Sequence, residues 1–406
     1  MNVVGKLKQN IKTLALTGTI AAVATSSLSP ISQPFIASQV SGVKALGGIL
    51  SIALLASSLV SIGAGFFADK HGRKPILMLG IAFCILGAIT YFITATAIEL
   101  LTAVLLSTVG TSIILSTMTA MTAESVAERR RASAFGYVET LRAAGSVLGP
   151  NIGGWIWIAY GIRSPFLFAL TMHLLALIGV ILLLKETHKG EQHTRIFPWK
   201  LSEIKQIHHS LPDSRSLYML VLAQIIISFG VAVGGSLSVY YAQDIILAGP
   251  IELSIITSLP TAISMFILIP AAAISDRIGR IPPLIAHEIL VVISQFGFAI
   301  AQTPFHLVLI SILGGINTIG VPSFRALQTE LMPQEHRVKL LSLYSFISSL
   351  AATPGPIISA LVWDLLGPRM MFVISGLLVM PTAIVVYTSV KETLGEPSEK
   401  KRDFSL

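Results

Sequence analysis

Charge is what this sequence has least of. Only 12% of its 406 residues are Asp, Glu, Lys or Arg, against roughly 25% in soluble globular chains. With 53% hydrophobic residues and a mean hydropathy of +0.79, that shortage makes lipid hydrocarbon the main solvent of the chain. Cysteine is nearly absent: Cys84 stands alone inside an apolar run, which excludes a disulfide framework and a cysteine-based metal site. The sequence has no HExxH pair, no Ser/His/Asp cluster and no glycine-rich phosphate loop between strand and helix. No catalytic activity, cofactor or metal is therefore expected. Nor is there a basic patch interleaved with aromatics, so the formal charge of +8 does not point to nucleic acid.

What the chain does have is apolar runs of spanning length. Twelve occur, at about 12–36, 43–68, 75–96, 98–123, 132–159, 164–184, 217–243, 249–274, 281–302, 304–328, 338–365 and 369–389. Backbone amides in lipid must be satisfied within the segment, so each run is read as a helix. The start, basic and then apolar, has the outline of a signal peptide, but its run continues to Ile36 and is long enough to span. The expected fold is an all-α membrane protein. It has a six-helix bundle over 1–184, a linker at 185–216, a second six-helix bundle over 217–389 and a charged tail at 390–406.

Lys and Arg set the orientation. With the N-terminus inside, 24 of the 28 fall on the cytoplasmic side, and only Lys44, Arg163 and Arg369 fall outside. Arg142 lies within a helix. Both termini are expected in the cytoplasm of a multi-pass plasma-membrane protein. The linker carries His188, His193, His208 and His209. Their spacing fits no tight metal site, and a solvated connection accounts for them.

The two halves repeat at an offset of about 206 residues. Asp69, Lys70, Gly72 and Arg73 match Asp276, Arg277, Gly279 and Arg280. Glu124 and Arg131 match Glu330 and Arg337, each pair seven residues apart, and Gly149-Pro150 matches Gly355-Pro356. Three matches in one order at one offset mark an internal repeat, as secondary transporters have.

On these residues the chain resembles the major facilitator superfamily from end to end. Gly65-x-x-x-Asp69-Lys70-x-Gly72-Arg73-Lys74 is a full match to that family's signature loop, and it falls between the second and third helices. The fifth-helix stretch with Gly145, Gly149, Pro150, Gly153 and Gly154 is similar to the motif of the twelve-helix drug:proton antiporter branch. The resemblance implies a secondary transporter that works by alternating access and exports small, partly hydrophobic compounds in exchange for protons. It also implies that Asp69 meets the cytoplasmic end of the eleventh helix, near Arg337 and Lys339, as an inter-half latch of the outward-open state. By the repeat, Asp276 and Arg280 would face the fifth helix near Arg131. This second copy is expected to be the looser one, because Ala272 replaces Gly65 and Ile281 replaces Lys74.

Glycines at 145, 149 and 153 recur every four residues and form one close-packing face. Glu139 and Arg142, three apart on the same helix, are candidates for proton coupling or substrate binding, or for a structural pair. Leu106 stands where the branch has an arginine, and the first helix has no carboxylate, so either these two residues substitute or the protein is not proton-coupled in the usual way. Gln33, Thr111, Gln224, Tyr240 and Asn317 are candidate cavity groups. Glu288, beside His287 on the ninth helix, is read as structural. The chain is expected to act as a monomer in the bilayer on a small-molecule substrate. The alternative within transport is uptake or facilitated diffusion of a sugar or organic anion; a membrane receptor or enzyme is the remote one.

Overall fold

The computed structural model describes residues 2–127, 130–187, 213–333 and 335–394. Most of the histidine-rich stretch (188–212), Arg129 and the tail from 395 lie outside the described residues.

The apolar runs form helices α1 (Asn2–Ser26), α2 (Ser32–Gln39), α3 (Val43–His71), α4 (Arg73–Ile93), α5 (Ala97–Glu124), α6 (Arg131–Tyr160) and α7 (Ser164–Leu183). They continue as α8 (Ser214–Gly235), α9 (Ser238–Asp244), α10 (Pro250–Ile278), α11 (Ile281–Ile300) and α12 (Pro304–Ile316). A 3-10 turn at Asn317–Gly320 then leads into α13 (Val321–Glu330), α14 (Arg337–Ala352), α15 (Gly355–Leu366) and α16 (Met370–Ser389). Among the described residues no strand occurs. Among those residues ten segments are long and apolar enough to cross a membrane. The first run is split between α1 and α2 by the turn holding Pro30, and α6 carries Arg131, Glu139 and Arg142 within its length. The tenth and eleventh runs are likewise each two helices, broken at the 3-10 turn and at Thr353-Pro354.

Successive spanning runs, each one helix or a split pair, alternate in direction. One end of the molecule, the terminus end, therefore gathers the turns near 72, 125–130, 184–187, 213, 279, 331–336 and 390. The far end gathers those near 40, 95, 162, 247, 302 and 368. Gly72 and Gly279 make the sharp turns at the terminus end with φ of 96° and 104°, a region that L side chains avoid.

The apolar core shows how the halves meet. At the far end one buried cluster draws on both halves, with Phe35, Leu46, Ile49 and Phe166 packed among Tyr241, Leu253, Ala360 and Phe372. At the terminus end there are separate clusters. One is built around Leu14, Leu77, Met121 and Val180, the other around Leu220, Leu284, Leu327 and Val386. Polar contacts between halves follow the same division. Ile357 N donates to Ser51 Oγ (3.0 Å), Tyr240 N to Gln33 Oε1 (3.0 Å) and Asn151 Nδ2 to Ser258 Oγ (3.1 Å), and Lys44 pairs with Asp364 (3.3 Å).

Candidate functional site

At the terminus end the α3–α4 turn forms a compact ion cluster. Asp69 sits one turn before Arg73, and Arg73 Nη2 reaches both Asp69 Oδ1 (2.6 Å) and Glu124 Oε1 (2.9 Å). The guanidinium is 12% exposed, and its fork lets it serve two carboxylates at once. The α10–α11 turn repeats the arrangement: Arg280 pairs with Asp276 (2.5 Å) and Glu330 (3.1 Å). Among the described residues the ion pairs of Asp69, Arg73, Asp276 and Arg280 lie within their own half. Arg131 Nε donates to the Ala123 carbonyl (3.3 Å) and Arg337 Nη2 to the Met332 carbonyl (3.4 Å).

Sequence reasoning missed two members of these clusters. Glu186 accepts from the first amides of α4, Arg73 N and Lys74 N (both 3.0 Å), and Glu392 accepts from Arg280 N (2.9 Å) and Ile281 N (3.0 Å) at the start of α11. A carboxylate suits the positive end of a helix. Thr187 then donates to Glu124 (2.7 Å) and Thr393 to Glu330, so each glutamate-threonine pair ties two helix ends together. Burial raises the Glu392 carboxyl, but backbone amides of Ile281, Arg280, Leu394 and Thr393 outweigh it, and its pKa falls below the ordinary value. The signal was there to read: Lys-Glu-Thr occurs at 185–187 and again at 391–393, at the repeat offset.

The fifth-run motif packs α6 against α1. A Cβ on Gly145 would lie 2.6 Å from the Thr19 carbonyl oxygen, and one on Gly149 would lie 2.7 Å from that of Val23. Gly153 meets Ser27 in the same way. Gly154 faces the other direction, onto α10, where a Cβ would stand 2.8 Å from the Pro250 oxygen. So 145, 149 and 153 form the seam within the first half, and Gly154 belongs to the contact between halves. Pro150 lies inside the same helix.

Beside this seam α1, α5 and α6 line a cavity of about 200 Å³. Its walls are mostly apolar, with Ile114, Met118 and Phe135 among them, and its charged groups are Glu139 and Arg142. Arg142 donates through Nε (2.8 Å) and Nη2 (2.6 Å) to Glu139 Oε2, with both side chains partly exposed. Of the candidate cavity groups, Thr111 lines this space. The other four are elsewhere. Gln33 and Tyr240 bond to each other at the far end, where the Tyr240 ring also stacks on Trp363 (5.3 Å). Gln224 donates to Ser228 (2.9 Å), and Asn317 sits in the 3-10 turn with its carbonyl accepting from His287 Nδ1 (2.7 Å).

Two helical halves joined at one end, with a mostly apolar cavity in the first half, fit a polytopic membrane transporter of small molecules. A sequence profile of the Major Facilitator Superfamily matches residues 14–241 and 220–405, and the chain belongs to that family. It is 26% identical over 344 residues to the multi-drug resistance efflux pump PmrA of Streptococcus pneumoniae, covering 82% of this chain and 83% of that protein. It is 24% identical over 361 residues to the multidrug resistance protein MdtG of Enterobacter lignolyticus, covering 86% and 82%. Among solved structures, a bacterial homolog of the human lysosomal transporter Spinster superposes with a TM-score of 0.75 at 14% identity, covering 94% of this chain and 96% of that one. The xylose transporter XylE of E. coli gives 0.71 at 16%, covering 96% and 98%. These two share the fold.

Proposed function

We propose that this protein is an exporter of small amphipathic, drug-like compounds, with the terminus end in the cytoplasm of a plasma-membrane protein. The Lys and Arg distribution supports that orientation. In this reading bundles 1–184 and 217–389 rock about a central site, the linker 185–216 and tail 390–406 are cytoplasmic, and the protein works as a monomer. The structure then corresponds to the inward-open state. The observation that carries this is the division of the core, one cluster spanning both halves at the far end and two separate clusters at the terminus end. When the terminus end closes, Asp69 comes to the N-terminus of α14 near Arg337, and the clusters act as the latch of the outward-open state. The efflux function of PmrA, on a relative covering most of the chain, supports the direction of transport. Glu139 is the proton-exchanging group: protonation releases Arg142, and the mostly apolar walls hold the substrate.

Inverted vesicles test this with a fluorescent lipophilic compound. Accumulation that depends on an acidic lumen and collapses with a protonophore is expected, and Glu139→Gln should weaken the pH dependence while leaving counterflow. Equilibration without accumulation would instead make the protein a facilitator, the reading that Leu106 at the branch's arginine position favours.

A further inference from the structure

Glu288 lies away from the cavity, in the second half, and is 1% exposed. Thr382 Oγ1 on α16 lies 2.8 Å from its Oε2 and 2.5 Å from the Val379 carbonyl, which can only accept, so the hydroxyl's single proton is shared between the two contacts unless the carboxyl supplies the other. Among the described residues no cation pairs with it. α11 itself carries His287, whose Nδ1 is committed to the Asn317 carbonyl. The one titratable side chain of α16 is the outward-facing Tyr387, and α10 has none between Glu252 and Asp276. α12 carries His306 at its far-end start. α13 brings Arg325, which is exposed, and Glu330, which is bound to Arg280. α14 carries Arg337 and Lys339 in its first turn and then Tyr344. Tyr344 is 5% exposed, its ring lies 5.6 Å from that of Phe324 on α13, and it is within electrostatic range of Glu288 and Arg325. Its hydroxyl and Gln328 Oε1 are both buried without a hydrogen-bond partner.

The fold does not require this cluster. By the repeat, Gly80 and Ile81 occupy the places of His287 and Glu288. There α4 packs closely on α5, with a Gly80 Cβ 3.1 Å from the Gly110 oxygen, and α5 runs unbroken from Ala97 to Glu124. In the second half His287 fills that space against Gly320, and the equivalent helix breaks into a 3-10 turn at 317–320. The position equivalent to Arg325 is Thr119, which lines the cavity of the first half. A buried acid, an interrupted helix and an exposed guanidinium on the helix beyond the break thus stand together on one side of the molecule only.

We propose that Glu288 is a second proton-binding site, carrying its proton in the state seen here and releasing it to water past Tyr344 when α13 pivots on the 317–320 turn and brings Arg325 toward the carboxylate. An ionised Glu288 without a cation would be a buried, unpaired charge, and Arg325 is the partner that could relieve it. Its link to the transport cycle rests on the alternating-access reading above; the proton itself does not.

Infrared spectroscopy of the full-length protein in lipid nanodiscs reads the proton directly. Wild type should show a protonated-carboxyl stretching band at neutral pH that Glu288→Gln removes, and Thr382→Val should shift that band upward by taking away its hydrogen bond. A spectrum unchanged by both variants overturns the proposal. Should Glu288→Gln not fold, the Thr382→Val shift alone decides. In proteoliposomes Glu288→Gln should keep substrate counterflow but lose the roughly tenfold response of net transport to one pH unit. Full retention of that response removes the site from coupling. If wild type moves none of the compounds tried, the export reading falls while the spectrum still decides whether Glu288 holds a proton.

Discussion

The two ion clusters at the terminus end have the same plan and different settings. In each, one arginine bridges an aspartate a turn earlier and a glutamate at the end of a neighbouring helix, and a second glutamate caps the helix that follows. The first is more enclosed: the Asp69 side chain is 29% exposed and that of Asp276 is 67%. Lys74 also donates to the Ile181 (2.9 Å) and Leu184 (2.8 Å) carbonyls, closing the end of α7, a task that Ile281 cannot do in the second copy. The second copy has its own supplement, since Arg280 donates to Ser275 Oγ (3.1 Å), which in turn accepts from Ser323 (2.9 Å). A missing signature residue therefore marks a changed connection rather than a missing cluster.

The largest expected effect on transport comes from removing the arginines. Arg73→Ala leaves Asp69 and Glu124 facing each other without their cation and should cost about 2 kcal/mol, between the values for exposed and buried pairs. Arg280→Ala should cost about 1 kcal/mol, because water already solvates Asp276. Transport should fall in the same order. Lysine at either position restores charge but not the fork and should recover only part of the loss. Thermal unfolding of the purified variants with parallel transport assays checks the ranking; equal losses for the two alanine variants would make the copies equivalent.

The glycine seams separate contacts within a half from contacts between halves. Gly149→Ala drives a methyl group toward the Val23 oxygen inside the first half and should lower stability by about 1–3 kcal/mol in every conformation. Gly47→Ala does the same against the Pro356 oxygen, 2.5 Å away, but across α3 and α15, a contact between halves. If the halves separate at the far end during the cycle, this variant should fold normally and spend more time open there. Cysteine placed at Lys44 would report that as faster labelling from the far side, while a fall in melting temperature equal to that of Gly149→Ala would mean that the α3–α15 seam does not open.

The charged clusters were legible because lipid leaves few places for charge, so Asp69, Arg73, Asp276 and Arg280 stand out at fixed spacing. That Gly145, Gly149 and Gly153 form one packing face was legible from their four-residue spacing, while their partner α1 was not. Cavity depth was not. Gln33 and Tyr240 sit just beyond helix breaks near Pro30 and at Ser236-Leu237, Asn317 sits within the one at 317–320, and each break resets the phase by which a residue is assigned to a face. Glu139 and Arg142, on the unbroken α6, were placed together at the cavity. Glu186 and Glu392 escaped notice because their partners are main-chain amides, which have no residue-type signature.

Those glutamates give the smallest expected effect and the finest test of equivalence. Glu392→Gln keeps an acceptor for the α11 amides but removes the charge at the helix N-terminus, so a loss of about 0.5–1 kcal/mol is expected at neutral pH. The folded-state pKa of Glu392 lies below its ordinary value, so its stabilising contribution is present above the ordinary carboxylate range and is lost as pH falls through the folded value. Melting temperatures of wild type and Glu392→Gln should therefore converge on acidification. Glu186→Gln at the start of α4 should cost a similar amount at neutral pH, since Glu186 receives the same pair of helix-start amides. A much larger loss there would mean that Glu186 carries the added enclosure of the first cluster, and a gap for Glu392→Gln that persists at low pH would mean that amide geometry, not charge, holds the second.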